Sequence, residues 1–143
     1  MLLIEKVLIL RSSDIFKNTP EQELADLAAI LEEVFIEPGT KLFSKGDYGN
    51  CMYFIVRGKV RIHDGDHTLA QLGDGEIVGE LSLMDSESRS ADATSAQECI
   101  ILKLDQEPFF DIIMNNADVL KGILKTLCKR IRVINEKSVA AGK

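Results

Sequence analysis

"VFIEPGTKLFSKGDYGNCMYFIVRGKVRIHDGDHTLAQLGDGEIVGE", residues 34–80, carries the reading of the fold. Glycine or proline turn signals recur in it every 7 to 12 residues. Between them stand short runs rich in β-branched and aromatic side chains, at 34–36, 41–43, 52–56, 60–63 and 68–72. Strands this short, with no helical pattern between them, predict an antiparallel sandwich or barrel rather than βαβ units. "HDGDH", residues 63–67, reads as a tight hairpin, because Asp64-Gly65 supplies the positive φ such turns require. "CIILKL", residues 99–104, closes the β region, which holds about eight strands.

Helical spacing flanks this segment on both sides. In "TPEQELADLAAILEE", Thr19 is the expected N-cap, Pro20 the first helical residue and Gln22 the partner in a capping box. Leu24, Leu27, Ala28 and Leu31 then repeat at helical spacing. Residues 2–16 predict a shorter helix and a turn, with Leu3, Val7, Leu10 and Ile15 on one side. Downstream, Asp105 caps a helix that tolerates Pro108 in its first turn and turns Phe109, Ile112 and Ile113 inward. After "NNAD" a last helix carries Leu120, Leu124, Leu127, Ile131 and Ile134, an a/d stripe over about two heptads. Such a stripe serves core packing, a dimer seam or a lid. The expected layout is one domain over 1–143: helices over 1–33, a β-barrel over 34–104 and two helices over 105–137.

Composition narrows the function classes. A chain of 143 residues can bury a real core, and a net charge of −6 argues against nucleic-acid binding through a basic face. A single arginine can still hold one small anion. Cys51, Cys99 and Cys128 are odd in number and lie in apolar runs, which predicts reduced, buried thiols in a reducing compartment. The opening "MLLIEKVLIL" is interrupted by Glu5 and Lys6, so it reads as neither signal peptide nor membrane span. The expected location is cytoplasmic, with no membrane span.

The stretch "GELSLMDSESRSA", residues 79–91, sets one basic residue, Arg89, among Glu80, Asp85 and Glu87. Together with "LFSKGDYGNCMYFIVRGKV", residues 42–60, it resembles the cyclic-nucleotide-binding domain family of catabolite activator proteins and kinase regulatory subunits. The earlier stretch matches the family's glycine motif through Gly46, Asp47, Gly49, residues 53–56 and Gly58, with Phe43 replacing a smaller aliphatic residue. The later one resembles its phosphate-binding cassette, placed here at 78–91: Gly79-Glu80-Leu81 opens a helical turn and Arg89-Ser90-Ala91 closes the loop. The match spans about residues 5 to 137.

The resemblance implies a β-jelly-roll barrel with flanking helices that binds cAMP or cGMP and catalyses nothing. It implies no metal and no cofactor. By resemblance Arg89 clamps the cyclic phosphate, Glu80 accepts the ribose 2′-hydroxyl, and Ser90 donates to phosphate or base. Gly79, Leu81, Ser82 and Ala91 contribute backbone and close packing. The chemistry suits these roles, since a guanidinium fork grips two phosphate oxygens at once and backbone N–H groups at a helix start favour an anion. Ile131, Ile134 and Asn135 stand where the family's last helix covers the base, and Asn135 can pair with an adenine edge. The partners implied are a cyclic nucleotide, an effector absent from this chain and a second copy docked through the last helix.

Plainer readings stand beside these. Gly46, Gly49 and Gly58 can be turn glycines that the fold alone requires. Arg89 can pair with Asp85 or Glu87 on the surface, a contact worth about 0–1 kcal/mol. His63 and His67 suggest a cupin-like metal site less than two exposed hairpin histidines, because cupins use a third histidine and this chain has two. Asp92 and Ala93 replace the family's threonine and valine, placing a negative charge near the expected phosphate and removing core volume. They favour the alternative function, a docking scaffold of the same fold without ligand.

Overall fold

Inward and outward side chains alternate along the central segment, which forms two four-stranded antiparallel sheets in a computed structural model. The structure describes residues 1–141, apart from the side chains of residues 81, 140 and 141. The described residues divide into two units, Met1 with 30–110 and residues 2–29 with 111–141.

In the first unit, β1 (Glu32–Ile36), β8 (Cys99–Asp105), β3 (Cys51–Arg57) and β6 (Ile77–Val78) form one sheet in that order. The second sheet runs β2 (Lys41–Phe43), β7 (Asp92–Ser95), β4 (Val60–Asp64) and β5 (His67–Leu72). This is the jelly-roll expected, with a core that includes Tyr53, Ile55, Val60, Val78, Ala93 and Ile101. The hairpin between β4 and β5 turns at Gly65, whose φ is +57°. β6 and β7 lie outside the runs that the sequence marks; both are short, and pairing with β3, β2 and β4 defines them. Phe43 lies opposite Ala93 in the β2–β7 register, so a side chain larger than the family's usual one faces a smaller one. The short helix α3 (Glu80–Asp85) follows β6 and starts from Gly79 at φ +77°.

The second unit gathers α1 (Leu3–Ser12), most of α2 (Glu21–Ile30) and α5 (Ala117–Ala141); α4 (Gln106–Met114) straddles the division. Val7, Leu10, Ile15, Phe16, Leu24, Leu27 and Ala28 are buried, while Leu3 is exposed despite its place in the predicted stripe. The predicted capping box at Thr19 does not form. The Pro20 carbonyl accepts the first helical bond from the Leu24 N–H, which puts Pro20 at the cap. Thr19 is buried, and its Oγ1 has no partner among the described residues.

Along α5 the buried positions are Val119, Gly122, Ile123 and Thr126. The expected stripe is rotated off that face: Leu120, Leu124, Ile131 and Ile134 are 41 to 63% exposed. Gly122 lies on the buried face because a Cβ there would meet the Asn18 carbonyl oxygen at 3.2 Å. Thr126 Oγ1 donates to the Asp14 carbonyl at 3.3 Å, and Arg130 pairs with the Asp14 carboxylate at 3.4 Å. Cys51 and Cys99 are buried thiols, as expected, but Cys128 is exposed on α5 because its run turns outward there. Among the described residues, no helix is long and apolar enough to cross a membrane.

Candidate functional site

Two loops far apart in sequence are laced together by backbone hydrogen bonds. The Gly46 N–H donates to the Arg89 carbonyl at 2.8 Å, and the Arg89 N–H donates to the Asp47 carbonyl at 2.7 Å. The Gly49 N–H donates to the Glu87 carbonyl at 3.1 Å, and Tyr48 and Ser88 form an isolated bridge. The glycine motif thus holds the 86–91 loop against the barrel, and its glycines do more than turn the chain. Gly46, at φ +91° with open space around its Cβ direction, is a turn glycine. Gly49 has no positive φ; a Cβ there would fall on the Ser82 side chain and come within 3.1 Å of Arg89 Nε. The turn reading of Gly49 is therefore corrected: its missing side chain makes room for the site. Sequence spacing gives no sign of this, because only the fold brings residues 49, 82 and 89 together.

Arg89 is 6% exposed, which excludes a surface pairing with Asp85 or Glu87. Its Nη2 donates to the Cys51 carbonyl at 2.8 Å and lies 3.5 Å from Cys51 Sγ. The guanidinium carbon stands 4.1 Å from the centre of the Phe43 ring. Nε and Nη1 have no acceptor among the described residues. Gly79 lies against Nη1, and a Cβ at that position would overlap it. Nearby, burial first, then the hydrogen bond with Cys51, pushes the Tyr53 phenol far up its range, so it stays neutral.

A cavity of about 400 Å³ opens over this arginine. Its lining includes Gly79, Glu80, Ser82, Asp85, Glu87, Ser88, Arg89 and Ser90, together with the apolar Phe43, Ile62, Leu72, Ile77, Val78 and Ala91. Six of the seven residues assigned to the ligand thus line one cavity; Leu81 lies in α3, and its side chain is outside the described residues. Glu80 occupies the first turn of α3, where backbone N–H groups lack intrahelical acceptors. Ile131, Ile134 and Asn135 are exposed residues of α5 in the second unit. The residues missed from sequence are Phe43, Cys51 and the strand residues Ile62, Leu72, Ile77 and Val78.

Asp92 does not bring its charge into the cavity. Side chains alternate along β7, and Ala91 lines the cavity whereas Asp92 does not. Asp92 Oδ1 accepts the Lys45 N–H at 2.8 Å, the Lys41 ammonium lies 3.7 Å away, and His63 Nδ1 is 3.7 Å from Oδ2. The Lys45 N–H above all, with Lys41 and His63, holds the carboxyl below its ordinary value of 3.8 against some desolvation. A carboxyl with a depressed pKa stabilises the fold above its unfolded pKa and loses that contribution as pH falls through the folded one. Asp92→Asn is expected to be less stable than the parent at neutral pH, with the two converging in acid as pH falls through the folded-state pKa of Asp92. Urea unfolding at several pH values checks this, and a gap that persists in acid would count against it.

His63 also departs from the exposed histidine expected. It is 8% exposed, with Nδ1 on the Gly65 carbonyl at 2.7 Å and Nε2 on Thr94 Oγ1 at 2.8 Å, while His67 is exposed. His63 stands opposite Asp92 in the pairing of β4 with β7.

Comparison with known proteins finds relatives in both sequence and fold. The family model described as the cyclic nucleotide-binding domain matches residues 33–116, more than half of the chain. A cyclic AMP receptor protein of Thermus thermophilus is 30% identical over 128 residues, covering 86% of this chain and 59% of that protein. The N-terminal domain of a transcriptional regulator from Streptomyces coelicolor superposes with a TM-score of 0.83 at 30% identity, over 90% of this chain and 95% of that one. The regulatory domain of Toxoplasma gondii PKA, solved with cAMP, gives a TM-score of 0.71 at 30% identity, over 77% of this chain and 44% of that one.

Proposed function

The chain belongs to the cyclic nucleotide-binding domain family, and from that premise we propose that it is a regulatory sensor, not an enzyme, that takes a cyclic nucleotide into the cavity around Arg89. The observation that carries this reading is a buried guanidinium with two donors, Nε and Nη1, that meet no acceptor among the described residues. A buried charge is expensive unless it is paired, and an anion entering the cavity pairs it. A cyclic phosphate brings one negative charge and oxygens suited to an arginine. Glu80 then accepts the ribose 2′-hydroxyl, Ser82 and Ser90 serve the phosphate, and Ile62, Leu72 and Ile77 face the base. cAMP is the first choice of ligand, since a cyclic AMP receptor protein and a cAMP-bound regulatory domain are among the relatives.

Binding acts by coupling. The nucleotide shifts the C-terminal helices between two arrangements by its differential affinity for them. The exposed stripe of Leu120, Leu124, Ile131 and Ile134 is the surface assigned to a second copy. The chain spans 59% of the cyclic AMP receptor protein it matches, so the effector is assigned to another segment or another protein.

Calorimetry and thermal unfolding with cAMP and with cGMP test the reading. The expected result is saturable binding of cAMP and a stabilisation of about 2.7 kcal/mol at a hundred times Kd. Tighter binding of cGMP would reverse the choice of base and keep the pocket. No response to either nucleotide would overturn the reading.

A further inference from the structure

Lys41 lies opposite Thr94 in the β2–β7 register, and regular alternation would put residue 43 on the same face as Lys41. That face is the one on which the Lys41 ammonium approaches Asp92. The register instead shifts between Lys41 and Phe43, and Phe43 pairs with the inward Ala93. A bulge of this kind re-aims a side chain. Here it brings the Phe43 ring to 4.1 Å from the Arg89 guanidinium carbon. Tyr53 stacks on the same ring with centroids 6.3 Å apart and planes 24° apart, which fixes the ring. On the guanidinium itself, Nη2 is tied to the Cys51 carbonyl, Nη1 is pressed against Gly79, and Nε and Nη1 keep their hydrogens for a ligand. Hydrogen bonds from Nη2 alone leave a guanidinium free to pivot, and an aromatic ring packed against its central carbon restricts that freedom.

We propose that Phe43 is a positioning residue for Arg89, its ring setting the plane in which the guanidinium meets the phosphate of the ligand. The inference rests on the cyclic-nucleotide reading of the cavity and deepens it. A simpler role, filling the volume that Ala93 leaves, predicts lost stability with no preference among ligands. Positioning predicts a loss confined to ligands that carry the phosphate.

The test compares Phe43→Leu and Phe43→Tyr with the parent chain, using cAMP and adenosine as probes in calorimetry. Phe43→Leu is expected to weaken cAMP roughly three- to thirtyfold, the range of a cation–π contact, and to leave adenosine unchanged. Phe43→Tyr keeps the aromatic face and is expected to stay within about twofold of the parent for both. Equal weakening of cAMP and adenosine, or no weakening of cAMP, overturns the proposal. NMR of the Arg89 Nε–H in the ligand-free protein supplies an independent arm. Its resonance is expected to carry a ring-current shift that Phe43→Leu removes and Phe43→Tyr retains. If the parent binds neither cAMP nor cGMP, the cyclic-nucleotide reading fails, and this resonance alone decides whether Phe43 orients the arginine.

Discussion

Arg89→Met is expected to weaken nucleotide binding roughly thirtyfold or more without destabilising the ligand-free protein. The two effects have opposite origins. Removing one member of a buried, hydrogen-bonded charge pair costs about 2–5 kcal/mol of affinity, roughly thirtyfold to several thousandfold. In the ligand-free chain the same guanidinium is 6% exposed, donates through Nη2 to the Cys51 backbone carbonyl and sulfur, and has two nitrogens, Nε and Nη1, without acceptors among the described residues. A methionine of similar length fills the space, keeps contact with the Phe43 ring through its sulfur and brings no charge to bury. Replacing buried charge by apolar volume is often neutral or stabilising, so ligand-free stability is expected to stay level or rise by up to about 2 kcal/mol. Chemical unfolding without ligand, beside calorimetry with cAMP, reads both signs. A large fall in ligand-free stability would mean that Arg89 is held for the fold and not for an anion.

The barrel was legible because its signals are local. Turn glycines, alternating runs and the Asp64-Gly65 hairpin each speak for a few neighbouring residues. β7 was not, since "DATS" has little strand character of its own and is a strand by virtue of β2 and β4 on its two sides. The phase of α5 misled for a related reason. Apolar residues occupy both the 119–123 and the 120–124 positions, so periodicity alone does not say which pair is covered. Thr19 matched a capping pattern that Pro20 took over, because the backbone bond from Leu24 chose the cap.

The site shows the same division. Glu80, Arg89 and Ser90 were legible as a cassette at recognisable spacing, and they line one cavity. Phe43 read as a departure from the family pattern, and so did Ala93; their meaning emerges only when the register sets them opposite each other. Asp92 drew suspicion for its position one residue past Ala91, yet alternation turns its charge to the other face. Proximity in sequence to a binding residue says little in a strand, where each step reverses the side.

Gly79→Ala is expected to damage the site and the fold together, and a matched control separates the two. Gly79 has φ +77° and a Cβ direction that runs into Arg89 Nη1. Gly75 has almost the same φ, +82°, with nothing within 4 Å of its Cβ direction. Gly75→Ala therefore carries the left-handed strain alone, about 1–2 kcal/mol of stability, and should leave cAMP affinity unchanged. Gly79→Ala carries the same strain and also displaces the guanidinium from Gly79. Its stability is expected to fall by about 2–4 kcal/mol and its cAMP affinity by tenfold or more. The Arg89 head cannot give way freely, because Nη2 is anchored on the Cys51 carbonyl at 2.8 Å and the Phe43 ring centre lies 4.1 Å from its central carbon. Paired measurements of unfolding and calorimetry on the two alanine variants decide the matter. Equal affinities in the two variants would show that the arginine tolerates displacement, and the tight seat described here would not be what holds it ready for the phosphate.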